Sequence, residues 1–97
     1  MNETEKQKLK RAEKRAVKEL AQEGFTVATK EKEEGVKTVA TVNEYEIRLI
    51  KIIIKDKNNE AKEAKMRAWI EARPQIKGVK KEIWIWGENR RWLKFSN

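Results

Sequence analysis

The segment from Tyr45 to Lys55 constrains the fold more than any other. It carries Ile47, Leu49, Ile50, Ile52, Ile53 and Ile54 with almost no polar alternation. A strand with one wet face alternates apolar and polar residues. An unbroken run of Leu and Ile instead reads as a central strand covered on both faces. The chain must therefore supply a cover for each side, and two of its segments have helical character.

Glu3 to Glu23 predicts the first helix. Leu9, Ala12, Ala16, Val17 and Leu20 fall on one stripe, and Gly24 stands where helices commonly end. Lys10, Arg11, Lys14, Arg15 and Lys18 cover the other face. That face is either plainly solvated or a surface for phosphate. Asn58 or Asn59 can cap a second helix, with Glu60 and Glu63 near its positive end. The helix is expected to run to about Arg73, where Pro74 stops it. Ala61, Ala64, Ala68 and Ala72 form a small-residue stripe beside Trp69 that would let it lie close to a sheet.

The remaining strands are predicted at Phe25 to Lys30, Val36 to Val42, Glu82 to Trp86 and Arg91 to Phe95. Lys30 to Gly35 reads as a charged turn or loop. Asn43-Glu44 and Gly87-Glu88-Asn89 suit turns. The order is α-β-β-β-α-β-β. It predicts an α/β fold with a mixed central sheet flanked by two helices, the second helix crossing over to a parallel fourth strand.

A length of 97 residues fits one domain spanning 1–97. Lys and Arg total 24 against 16 acids, a formal charge of +8, which favours polyanionic partners. Lys- and Glu-rich surfaces also occur in proteins of thermophiles, which explains the mixture of charges better than their imbalance. There is no Cys and no His, which excludes disulfides, thiol nucleophiles, thiolate zinc sites and His-based acid–base chemistry. The one Asp is Asp56, so a hard-metal site would draw mainly on Glu. No apolar run reaches the roughly 18 residues of a membrane span. Met1 to Arg15 is polar, which predicts no secretory leader and a cytoplasmic protein.

Two charges stand at apolar positions. Glu13 falls between Leu20 and Val17 on the stripe of the first helix. Lys51 shares a strand face with Tyr45, Ile47, Leu49 and Ile53. Each could snorkel at the rim of the core, or the two could pair and mark one site.

These positions sit within a wider resemblance. Ala12-Glu13-Lys14-Arg15, then Leu20 and Gly24-Phe25-Thr26-Val27, resemble the opening of archaeal Holliday junction resolvases, members of the PD-(D/E)XK nuclease superfamily. Thr38-Val39-Ala40 and Ile47-Arg48-Leu49-Ile50-Lys51-Ile52-Ile53 resemble the family's Asp-containing and Glu-x-Lys-containing strands. Glu82-Ile83-Trp84-Ile85-Trp86 and Arg91-Trp92 are similar to its last hairpin. The resemblance implies a restriction-endonuclease-like fold and DNA as partner.

It also implies a degraded catalytic motif. Thr38 stands at the position of the metal-binding Asp, Lys51 at that of the Glu and Ile53 at that of the Lys, so only Glu13 remains. Active members hold Mg²⁺ with these acids to activate water. A lysine in place of a carboxylate repels the cation, and Ile53 cannot act on a proton. The expectation is a nucleic-acid-binding protein with no catalytic residue, no metal and no cofactor. Lys10, Arg11, Lys14, Arg15 and Lys51 are then the phosphate-contacting candidates.

An active nuclease with migrated carboxylates is the alternative. It would draw on Glu44, Glu46, Asp56, Glu60 or Glu63, with Lys55 for the lost lysine and Mg²⁺ as cofactor. Trp84, Trp86 and Trp92 could stack on unpaired bases, or pack a helix or a partner against the sheet. A non-catalytic interaction module, dimerising through the last hairpin, is the rival class. An engineered sequence would also favour Glu and Lys on its helices, but Glu13 and Lys51 are not the choices of an idealised design.

Overall fold

The computed structural model describes residues 4–33, 35–55, 60–72 and 76–96. The elements are α1 (Glu5–Gln22), β1 (Thr26–Glu33), β2 (Val36–Val42), β3 (Ile47–Ile54), α2 (Glu60–Glu71), β4 (Val79–Trp86) and β5 (Trp92–Ser96). The strands make one five-stranded sheet in the order β1-β2-β3-β4-β5. Neighbours run antiparallel except β3 and β4, which are parallel and joined through α2.

The ends of α1 follow from local chemistry. The Thr4 side chain accepts from the Gln7 backbone N–H, and the Gln7 side chain accepts from the Thr4 N–H, which closes a capping box. At the other end Gly24 takes φ +89°, which glycine adopts without the clash a Cβ brings. Gly24 N–H donates to the Ala21 carbonyl and Phe25 N–H to that of Leu20. Phe25 and Leu20 are both buried beside this motif, an apolar lock common in such caps.

β3 is central, as its composition demands. Ile50 and Ile52 turn toward α1 with Leu9, Ala12, Ala16, Leu20, Val39 and Trp84. Ile53 turns the other way, to Val36, Met66, Ile70, Ile83 and Ile85. All three isoleucines are fully buried. Each buried side chain of this size contributes about 1.5–3 kcal/mol, so a single strand anchors both layers of the core. Asn43 makes the β2–β3 turn by accepting from the backbone N–H groups of Tyr45 and Glu46.

Three expectations need correction. Lys30 to Gly35 is not a charged loop: β1 continues to Glu33, with Lys30, Glu31, Lys32 and Glu33 paired to Val39, Thr38, Lys37 and Val36. β1 is an edge strand exposed along nearly its whole length, so no apolar alternation announces it. β4 begins at Val79 rather than Glu82, because β3 offers pairing partners from Ile47 onward. The alanine stripe of α2 does not pack on the sheet. Ala61, Ala64, Ala68 and Ala72 are exposed, and Met66 and Ile70 are the buried contacts. Two large side chains remove more apolar area from water than four methyls and set the helix's rotation. The expected cap at Asn58 or Asn59 and the stop at Arg73-Pro74 lie outside the described residues.

Candidate nucleic-acid interface

α1 straddles its face of the sheet and is tied down on both flanks. Toward β5, Glu19 accepts from Lys94 at 2.9 Å, and Lys94 Nζ lies 3.8 Å from the Trp84 ring centroid. Toward β1 and β2, the Glu13 carboxylate lies 3.9 Å from both Lys30 and Lys37. Glu13 thus sits at the rim of the core, its side chain 12% exposed, and two ammonium groups neutralise it.

The outward side of α1 carries Lys10, Arg11, Lys14 and Arg15, all exposed. They are not equivalent. The Arg15 guanidinium lies 4.9 Å from the Trp86 ring centroid, a cation–π contact that ties it to the β4 side. Lys10 belongs to the other flank, where charges of one sign crowd together. Lys32 and Lys37 are cross-strand partners on β1 and β2. The Lys6 ammonium, and after it those of Lys37 and Lys10, hold the Lys32 pKa below the ordinary lysine value. Lys6, Lys32 and Lys37 are not legible as a group in the sequence, because it is the continuation of β1 past Lys30 and its pairing with β2 that bring Lys32 beside Lys37 on the flank of α1.

Thr38, Lys51 and Ile53 share the opposite face. Thr38 and Lys51 are cross-strand partners, and Lys51 Nζ donates to Thr38 Oγ1 at 3.3 Å. The same ammonium lies 4.9 Å from the Trp69 ring centroid. Ile53 is buried under α2. Glu13 belongs to the α1 side, beside Val39, Ile50 and Ile52 rather than beside Lys51. The suspected Glu13–Lys51 pair therefore does not form, because the sheet lies between them. Lys51 also cannot share one ligand with the lysines of α1. Its charge is accommodated by a hydroxyl and an aromatic face.

The residues present do not suit Mg²⁺. The side chains around Glu13 are lysines and aliphatic groups. Among the described residues no group of three or more Asp, Glu, His or Cys is placed to hold a metal. The migrated-carboxylate set is scattered. Glu44 and Glu46 precede β3, whereas Glu63 accepts from Lys55 beyond its far end, an eight-residue strand or about 25 Å away. Asp56 and the Glu60 side chain lie outside what is described.

The tryptophans are committed to packing. Trp84 is fully buried, and Trp92 meets it at 5.3 Å and Trp86 at 4.8 Å between ring centroids, all three on the α1 side. A buried polar network escaped sequence reading altogether. Arg48 donates to both carboxylate oxygens of Glu82 and, at 2.7 Å, to Glu23. Glu82 also accepts from Trp84 Nε1 at 2.9 Å. Among the described residues no helix is long and apolar enough to cross a membrane. No family model, curated protein or solved structure matches this chain.

Proposed function

We propose that this chain is a nucleic-acid-binding protein, with DNA as its first candidate partner, built on a restriction-endonuclease-like α/β framework that no longer cleaves. The observation that carries this reading is the exposed basic surface of α1. Lys10, Arg11 and Lys14 stand together on one rigid helix in a chain of net charge +8. Contact with phosphate needs cations held in a fixed array and needs no carboxylate. A helix tied to the sheet on both flanks supplies such an array with little further ordering on binding. Lys51, on the other face, is no longer part of the proposed surface, and Arg15 contributes more to holding the helix than to the ligand. A cytoplasmic location accords with a nucleic-acid partner.

Gel-shift titrations of duplex, single-stranded and four-way-junction DNA across a range of salt test the reading. Affinity should fall with salt at a log–log slope of about −0.9 per phosphate contact on duplex DNA. Binding that is undetectable at low salt rejects the proposal.

One observation favours a second reading, an interaction module that pairs through its last hairpin. Leu93 on the edge strand β5 is 52% exposed and borders a groove lined by Lys55, Gly87, Arg91 and Trp92. Sedimentation that gives a dimer sensitive to Leu93→Lys would support it.

A further inference from the structure

Lysines from three elements crowd together beside Glu13. Lys6 and Lys10 lie one turn apart on α1, and Lys32 and Lys37 face each other across β1 and β2. Three elements thus bring four ammonium groups to one place, with Lys30 at the margin. Among the described side chains of α1, Glu13 is the acid facing the group, but it already lies between Lys30 and Lys37. Along β1, Glu31 and Glu33 alternate with the lysines and so point to the other face of the sheet. Lysines on a free surface swing apart, because a long side chain loses little by choosing another rotamer. Here the pairing of Lys32 with Lys37 and the spacing of Lys6 and Lys10 on α1 keep the four together, and the Lys6 charge holds the Lys32 pKa below the ordinary lysine value. An anion held among them relieves this repulsion.

We propose that Lys6, Lys10, Lys32 and Lys37 form a phosphate seat that takes a backbone phosphate of bound nucleic acid. This rests on the nucleic-acid reading above and moves its centre from the outermost face of α1 to the flank where α1 meets β1 and β2. A phosphodiester supplies the acceptor oxygens and negative charge that the four ammonium groups lack. Lys14 follows Lys10 by one turn on the exposed side of α1, which gives a strand held at the seat further cations along the helix.

Thermal unfolding at low ionic strength tests the seat without DNA. Pyrophosphate should raise the melting temperature of the wild type more than chloride does at matched ionic strength. Lys32→Gln and Lys6→Gln should each melt higher than wild type without phosphate, because repulsion is relieved, and should lose the excess response to pyrophosphate. Both side chains are exposed, so neither change opens the core. An equal response to chloride and pyrophosphate, or an excess that persists in both variants, overturns the seat. The DNA arm then identifies the occupant. Lys32→Gln should shallow the salt slope by about one unit. DNA binding with an unchanged slope overturns the seat as a backbone site and leaves the proposed function standing. A seat that takes pyrophosphate in a protein that binds no nucleic acid rejects the backbone occupant and the proposed function together, and leaves a site for small phosphorylated ligands.

Discussion

Arg48 on β3 grips Glu82 on β4 with two parallel hydrogen bonds, from Nε to Oε2 and, at 2.7 Å, from Nη2 to Oε1. The side chains are only 13% and 8% exposed. Phe25 lies under the guanidinium at 4.8 Å, Trp84 donates to the carboxylate, and Glu23 closes the outer side. The pair bridges the one parallel junction of the sheet and ties it to the end of α1. Arg suits this place because its planar fork matches a carboxylate and is weakly hydrated for a cation.

Breaking one side of the pair should cost far more than removing both. Glu82→Leu strands a guanidinium in a partly buried place and should destabilise by roughly 2–4 kcal/mol. Arg48→Met together with Glu82→Leu should cost less than Glu82→Leu alone, because no charge is left without its partner. A urea-unfolding double-mutant cycle measures the difference. Additive losses would mean that the pair is held by its surroundings rather than by itself.

The same pair sets a pH dependence. Burial raises the Glu82 pKa, but the hydrogen bonds from Arg48 and Trp84 and the charge of Arg48 outweigh it, so the net shift is downward from the ordinary value of 4.5. A carboxyl with a depressed folded-state pKa stabilises fully above its unfolded value and loses that contribution as pH falls through the folded one. Stability should therefore decline below about pH 4.5. Glu82→Gln should be less stable than wild type at neutral pH, with a gap that narrows on acidification. A gap that stays constant down to the acid transition would assign the decline to other carboxylates. Arg48, whose pKa is raised, stays charged throughout this window.

The rotation of α2 gives a third test. Met66→Ala and Ile70→Ala should each cost about 2–4 kcal/mol, since both side chains are buried against β3 and β4. Ala64→Gln and Ala68→Gln should stay within about 0.5 kcal/mol of wild type, because both positions face water. Circular-dichroism melts of the four variants suffice. The reverse ranking would mean that the alanine stripe packs on the sheet after all.

What the sequence discloses here follows from the range of the interactions. β2 is legible residue for residue, and the end of α1 at Gly24 is legible because its cap is local. The centrality of β3 is legible from its own side chains. β1 beyond Lys30 is not, because its only instruction is pairing with β2. The Arg48–Glu82 grip joins residues 34 apart, and neither looks unusual alone. Glu13 and Lys51 are both recognisable as misplaced charges. Strand alternation tells which residues share a face, but not which helix will cover that face. That is why the two could be suspected of pairing when the sheet separates them.

Glu13 separates the two accounts of this molecule most sharply. If the resemblance to metal-dependent nucleases extended to their chemistry, Glu13 would help hold the metal, and its loss would abolish turnover while leaving the framework intact. Here the Glu13 carboxylate lies 3.9 Å from Lys30 and Lys37 and draws down the positive charge beside the lysine cluster. Glu13→Gln keeps the shape and removes the negative charge, so it should strengthen binding to duplex DNA at low salt. Unit charges 4 Å apart in water interact by about 1 kcal/mol, and a phosphate held by the lysine cluster would lie further from Glu13, so a gain of about twofold to threefold is expected. The gain should fade as salt screens the cluster. Neither wild type nor variant should nick plasmid or junction DNA with Mg²⁺ or Mn²⁺. Weaker binding by Glu13→Gln, in a variant whose unfolding curve matches wild type, would show that the carboxylate does more than temper its neighbours. Metal-dependent nicking that vanishes in Glu13→Gln would return the site to catalysis.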